Sequence, residues 1–270
     1  MSQQTLTATQ AGVTRPPTLM GGTLAILERH MTIYRRVWQA SVFSSFILPV
    51  LFVVSIGIGV GGYVGKVNGW DYLSYIVPGV LASGAFQTAI GESTFPVLGD
   101  FKWSRAYHAM RATPLRIGEM IAGWQLYIQI RVFIASVVFL AVAGIFGAVH
   151  SWWVLTTPLI CALVALSTAA PISAFSAGLE NDSYFSLLFR FIVIPSSLFA
   201  GVFFPVEQLP AAVRPLAYAS PLWHAVELCR SAMLGGSPPW PIWVHVGYLL
   251  ALSGLGLWWA FRAYSKRLKD

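Results

Sequence analysis

The sequence predicts an all-α polytopic membrane protein with six transmembrane helices, an N-terminal amphipathic interfacial helix and a re-entrant helical pair before the sixth span. Three observations carry that reading. Hydrophobic residues make up 56% of the 270 residues and charged ones only 10%, where soluble domains carry about a quarter charged. Apolar runs cover 41–62, 72–98, 121–147, 152–177, 183–204 and 241–263, each reaching the ~20 residues that cross a hydrocarbon core. The basic residues are also sided. Twelve Lys and Arg lie before the first run, between the second and third, or at and beyond the end of the last; only Lys66, Arg214 and Arg230 lie in the alternate loops. That positive-inside bias puts both termini in the cytoplasm. The net charge of +7 therefore reports topology, and no nucleic-acid partner is expected.

Residues 1–20 are polar, rich in Thr, Gln and Pro, and lack the apolar core of a signal peptide, so they read as a disordered cytoplasmic tail. From 21 to 40, Leu24, Leu27, Met31, Tyr34 and Trp38 form an apolar stripe, with Glu28, Arg29, Arg35 and Arg36 elsewhere on the wheel. A basic amphipathic helix of this kind lies in the membrane interface, and its polar face could dock a soluble partner. Residues 41–263 form one transmembrane domain. Its spans are rich in small residues ("SIGIGVGG", "LASGAFQTAIGES", "LSTAAPISAFSAG") that let helix backbones approach closely. Pro49, Pro78, Pro171 and Pro195 mark kinks that neighbouring helices absorb. Residues 264–270 form a second cytoplasmic tail.

Two loops carry more than a connection needs. "DFKWSRAYHAMRATPLRIGEM" (100–120) is basic, with aromatics Phe101, Trp103 and Tyr107 expected at its surface, and is helical to Ala112. Thr113-Pro114 then reads as the cap and first turn of the next helix. This loop is either a solvated basic stretch on anionic lipid or a short helix, 101–112, meeting a cytoplasmic partner. The second loop, 205–236, faces outward by charge count. Pro205 ends the fifth span, while Pro210 and Ser220-Pro221 start two short helices. The second of these puts Leu222, Val226, Cys229 and Met233 on one face and His224, Glu227 and Ser231 on another. At roughly 14 residues it is too short to span, which suits a re-entrant segment. Glu227 and Arg230, one turn apart, are placed to pair.

Catalytic signatures are absent. There is no GxSxG, no HExxH and no GxxxxGK[ST], so this chain carries no P-loop of its own. The five His do not recur at metal-ligand spacing. Cys161 and Cys229, distant in sequence, read as small apolar residues. Glu92, Arg131 and Arg190 fall inside spans, where charge is costly and points to function. Glu92 and Arg131 read as an ion pair between neighbouring helices, as a substrate-facing pair, or as proton-coupling groups. A proton-coupled secondary carrier is thus one rival reading and an intramembrane enzyme another. The lack of an inverted repeat and the few carboxylates weigh against the carrier.

"SLFAGVFFPVEQLPAAVRPLAYASPLWHAVELCR" (197–230) resembles the signature of ATP-binding-cassette exporter permeases of the second type. "AMRATPLRIGEMIAG" (109–123) is similar to that family's cytoplasmic coupling segment. Within the family the chain is most similar to the branch with nodulation lipo-oligosaccharide and daunorubicin-type drug exporter permeases, over nearly everything beyond residue 20. The resemblance implies a non-catalytic permease in the plasma (inner) membrane, with an amphipathic, drug-like or lipid-linked cargo moved outward. It also implies a second permease, identical or paralogous, and two separate ATPase subunits that hold ATP-Mg, with no cofactor on this chain. Carried over by position, Phe101, Lys102, Trp103, Arg105, Tyr107, Arg111 and Pro114 belong to ATPase coupling. Phe203, Phe204, Pro205, Glu207, Pro221, Glu227 and Arg230 belong to the re-entrant gate. The glycan-binding additions of some polysaccharide exporters are absent, which argues against that cargo.

Overall fold

The computed structural model describes residues 19–42, 47, 50, 51 and 53–269. Most of the expected N-terminal tail, Pro49, the Trp38 side chain and parts of the first expected span lie outside the described residues. The chain is mostly helical. Among the described residues, four helical stretches are long and apolar enough to cross a membrane: Tyr72–Lys102, Ile117–Ile145, Trp152–Gly178 and Ile242–Arg267. Ser183–Phe199 is apolar but shorter.

Helix α1 (Leu19–Val42) is followed, beyond a π-helical stretch at Val53–Val60, by a two-stranded hairpin of β1 (Lys66–Val67) and β2 (Trp70–Asp71). Asn68 and Gly69, at φ 51° and 84°, make its turn, the Asn-Gly pair that tight hairpins prefer. Next come α2 (Tyr72–Ser93), α3 (Phe95–Lys102), α4 (Ala106–Arg111) and α5 (Ile117–Ile145). The run expected as one span over 72–98 therefore breaks at Thr94. Pro96 has no N–H to continue the helix. That leaves the Glu92 carbonyl without its helical donor, and the next carbonyl, Ser93 O, accepts from Ser176 Oγ at 2.7 Å.

After α6 (Thr157–Gly178) the chain forms α7 (Ser183–Leu188), a π-turn at Phe189–Val193 and α8 (Ile194–Phe199). The span expected to reach 204 thus ends as a helix at Phe199. Helices α9 (Arg214–Tyr218), α10 (Pro221–Leu234) and α11 (Ile242–Arg267) complete the chain. Helix α11 runs through most of the stretch expected as a tail from 264.

Helix α6 is the centre, flanked by α2, α5, α10 and α11. Its buried face is almost all small: Ala165, Ser167, Ala169, Ser173, Ala174 and Ala177. A Cβ on Gly256 of α11 would lie 2.5 Å from the Pro171 ring of α6. Without a hydrophobic drive in lipid, such close approach is what holds helices together. Helix α1 lies along α5 rather than across its foot. Gly22 meets Glu119, Ile26 meets Gly123, His30 meets Trp124 and Tyr127, and Tyr34 meets Tyr127 and Arg131. These contacts climb both helices together. Ile26 and His30 are buried, whereas Leu24 of the expected apolar stripe is exposed.

Candidate functional site

The 101–112 segment is two helices rather than one. Helix α3 ends at Lys102, and Arg105 at φ 50° turns the chain into α4. The turn is held by Ser104 Oγ, which donates to Asp100 at 2.9 Å, and by Arg29 of α1, 3.3 Å from the same carboxylate. Two of the three aromatics expected at the surface are buried: Phe101 is 2% exposed and Tyr107 is 0%. Their rings lie 4.6 Å apart and pack edge-on against Tyr264 of α11 at 4.9 and 5.2 Å. Burial beside Tyr264 pushes the Tyr107 hydroxyl well above its ordinary pKa, so it stays neutral. Arg267 covers Phe101 at 4.8 Å and donates to the Ala177 and Leu179 carbonyls at the end of α6. Trp103, at 62%, remains exposed beside Lys102, Arg105, Arg111 and Pro114. The segment thus has a basic aromatic outer face and an aromatic root in α11 and α6. Thr113-Pro114 does not start the next helix. Thr113 Oγ1 donates back to Met110 at 2.6 Å, and α5 begins three residues later, where Arg116 N–H donates to Glu119 at 2.7 Å.

At the hairpin side of the molecule, α10 starts on Ser220, whose Oγ accepts from Leu222 N–H at 3.3 Å, and stops at Gly235 with φ 81°. Its N-terminal end lies beside Tyr248, two turns inside α11, where the Tyr248 hydroxyl donates to Ala219. Its C-terminal end meets the chain just before α6, where His150 N–H donates to Met233 O at 2.9 Å. The helix is not two-faced as its sequence suggests; Leu222, His224, Val226, Cys229 and Met233 are all buried. Glu227 and Arg230 do pair. Arg230 also donates to Gly201 O at 2.7 Å and lies over the Tyr75 ring at 4.0 Å, tying α10 to α2 and to the 200–206 return. In that return Pro205 is buried, Phe203 and Phe204 are half-buried, and Glu207 is exposed. Val202 O would lie 2.9 Å from a Cβ on Gly79, so this return is packed into α2. The start expected at Pro210 is a turn, and α9 begins only at Arg214.

Glu92 of α2 and Arg131 of α5 form a direct ion pair. The Arg131 guanidinium also lies 4.9 Å from the Tyr34 ring of α1. The pair therefore joins three helices. Arg190, in the π-turn, is exposed.

The sequence profile of the ABC-2 type transporter family matches residues 22–234. The chain belongs to the ABC-2 type transporter family. This ABC-2 type chain is 28% identical over 84% of its length to Nodulation protein J of Rhizobium leguminosarum bv. viciae, covering 87% of that protein. It is 26% identical over 84% of its length to Nodulation protein J of Rhizobium meliloti (strain 1021), covering 86% of it. It is also 24% identical over 75% of its length to the Inner membrane transport permease YadH of Escherichia coli (strain K12), covering 78%. The ABC-2 type chain is an integral membrane protein and a transporter component. Permeases of this family work with ABC ATPase subunits.

Sequence reasoning about this ABC-2 type permease missed three contacts, each between residues far apart in sequence. His224 and His245 meet at 2.9 Å between Nδ1 atoms, with Tyr248 stacked on His224 at 4.1 Å. Cys161 and Cys229, both buried, face one another between α6 and α10. Tyr264 completes the aromatic root of the 101–112 segment. Only Tyr264 left a sequence signal, since it sits in the last turns of a helix that should emerge on the same side as that segment.

Proposed function

We propose that this chain is the permease subunit of an ATP-driven exporter that moves an amphipathic, drug-like or lipid-linked compound outward across the plasma membrane. Two such permeases, identical or paralogous, pair with two ATPase subunits that hold ATP-Mg. The first expected span and Ser183–Phe199 bring the crossings to six, with both termini in the cytoplasm. The observation that carries the reading is the 101–112 segment, exposed and basic outside, rooted by Phe101 and Tyr107 against Tyr264. A push on Trp103, Arg105 or Arg111 from a closing ATPase would reach α11 and α6 through that root. On the opposite side, α10 is a half-helix, buried in protein as irregular backbone at membrane depth must be. Phe203, Phe204, Pro205 and Pro221 form its hinge regions, and Arg230, paired with Glu227 on its own helix, closes the gate between α10 and α2 by its contact with Tyr75.

Reconstitution tests this reading. In vesicles containing the chain and its partner ATPase, a fluorescent acylated compound should move only when ATP is supplied. Movement driven by a proton gradient without the ATPase would establish the carrier instead.

A further inference from the structure

Two cavities share lining residues, and the first of them opens at the side of the molecule that carries the C-terminus. One, of about 1060 Å³, lies between the 101–112 segment and the ends of α6 and α11. Five Lys and Arg side chains line it (Lys102, Arg105, Arg262, Lys266, Arg267) against the single carboxylate of Glu180. Arg267 is held by the Ala177 and Leu179 carbonyls, but no hydrogen bond or ion pair from the other four is found among the described residues. The second cavity, of about 690 Å³, is walled almost wholly by apolar side chains of α2, α6, α7, the π-turn and α11, with Ser196 of α8 and Pro221 at the start of α10. Phe175 and Trp259 line both. The second cavity follows the broken helix from Tyr184 to Ser196, about 18 Å at 1.5 Å per residue, roughly half the ~30 Å hydrocarbon core.

We infer that the joined cavities form a binding site for an anionic lipid of the cytoplasmic leaflet. The headgroup lies among Arg262, Lys266 and Lys102, and one acyl chain passes Phe175 and Trp259 into the apolar cavity. Charge selects the head. The Arg262 guanidinium lies over the Trp258 ring at 4.1 Å, but neither it nor Lys102, Arg105 or Lys266 has a carboxylate partner among the described residues. Such cations at a membrane surface attract anionic headgroups. Length and apolar walls select the tail. A protein segment would match the basic cleft but not the apolar cavity that shares Phe175 and Trp259 with it. The inference adds a cargo-sized lipid site to the exporter reading, and the lipid preference is read without ATP and without transport, so either can fail alone.

The test compares phosphatidic acid and phosphatidylcholine probes carrying the same photoreactive tail, in vesicles with the purified full chain. Phosphatidic acid should label peptides spanning 184–196 and 252–259 at least tenfold more than phosphatidylcholine. Salt near 1 M, where screening acts within ~3 Å, should remove most of that excess in the unaltered chain. Arg262→Gln with Lys266→Gln should bring phosphatidic acid down to the phosphatidylcholine level, whereas Leu252→Trp, which fills the tail cavity, should reduce both. Equal labelling by the two probes, indifferent to salt, would reduce the site to ordinary lipid-facing surface. Labelling abolished by added ATPase would assign the cleft to a protein segment. Tail-cavity crosslinks between two copies in place of lipid would assign it to the second permease. Any of these three results overturns the inference.

Discussion

At the residue scale, the Glu92–Arg131 pair is the most consequential interaction inside the spans. It was legible in the sequence as two charges on antiparallel neighbours, but Tyr34 was not, because its contact depends on α1 lying along α5. Removing one partner strands a half-buried charge inside the spans, at a cost below the about 3–5 kcal/mol of a fully buried pair. Glu92→Gln and Arg131→Gln should therefore each lower the melting temperature of the detergent-purified protein more than the double change does. Simple addition of the two losses would show that the charges act separately. His30 gives a pH test of the α1–α5 seam. Burial against Trp124, with Arg29 adding to it and Asp100 opposing, lowers its pKa from 6.5 to about 4. The folded state keeps His30 neutral, so its contribution is intact above about pH 6.5 and is lost as pH falls toward 4. His30→Gln should flatten the stability profile between those limits; an unchanged slope would place the titration elsewhere.

At the scale of elements, the positions of four spans were legible and the breaks in the helices were not. Composition marks an apolar run, but Thr94 breaks one because Pro96 and Ser176 act together, and Ser176 lies in a different helix. The 101–112 segment was legible as helical and basic. Its burial pattern was not, because Phe101 and Tyr107 find Tyr264 only across the fold. Tyr107→Ala should therefore destabilise the protein on the scale of a large aromatic truncation, about 3–5 kcal/mol. Trp103→Ala should stay within about 0.5 kcal/mol while weakening ATPase binding. Equal melting losses for both would put Trp103 in the core. The small-residue run of α6 packs closely against α11, whereas a Cβ on Gly59, Gly62, Gly84 or Gly91 of the other two runs would meet nothing within 4 Å. Gly256→Val should cost about 1–3 kcal/mol by overpacking against Pro171, seen as a lower melting temperature.

At the scale of the whole molecule, the basic residues set a topology that accessibility can check. Glu207 and Ser237 are exposed, while Val226 and Met233 are buried. In a Cys-free background, cysteines at the first two positions should react with an impermeant thiol reagent from outside the cell, and those at the last two should not. Reaction at Glu207 only from the cytoplasm would invert the orientation. The central claim is that the exposed face of 101–112 receives the ATPase, and one measurement reaches it directly. The full chain with Arg105→Glu and Arg111→Glu is compared with the unaltered chain for ATPase subunits retained on co-purification and for coupled ATP hydrolysis. Both charges are solvent-exposed, so membrane insertion and melting temperature should hold while retention or coupling falls at least tenfold. Full retention and full coupling in the double variant would contradict the account.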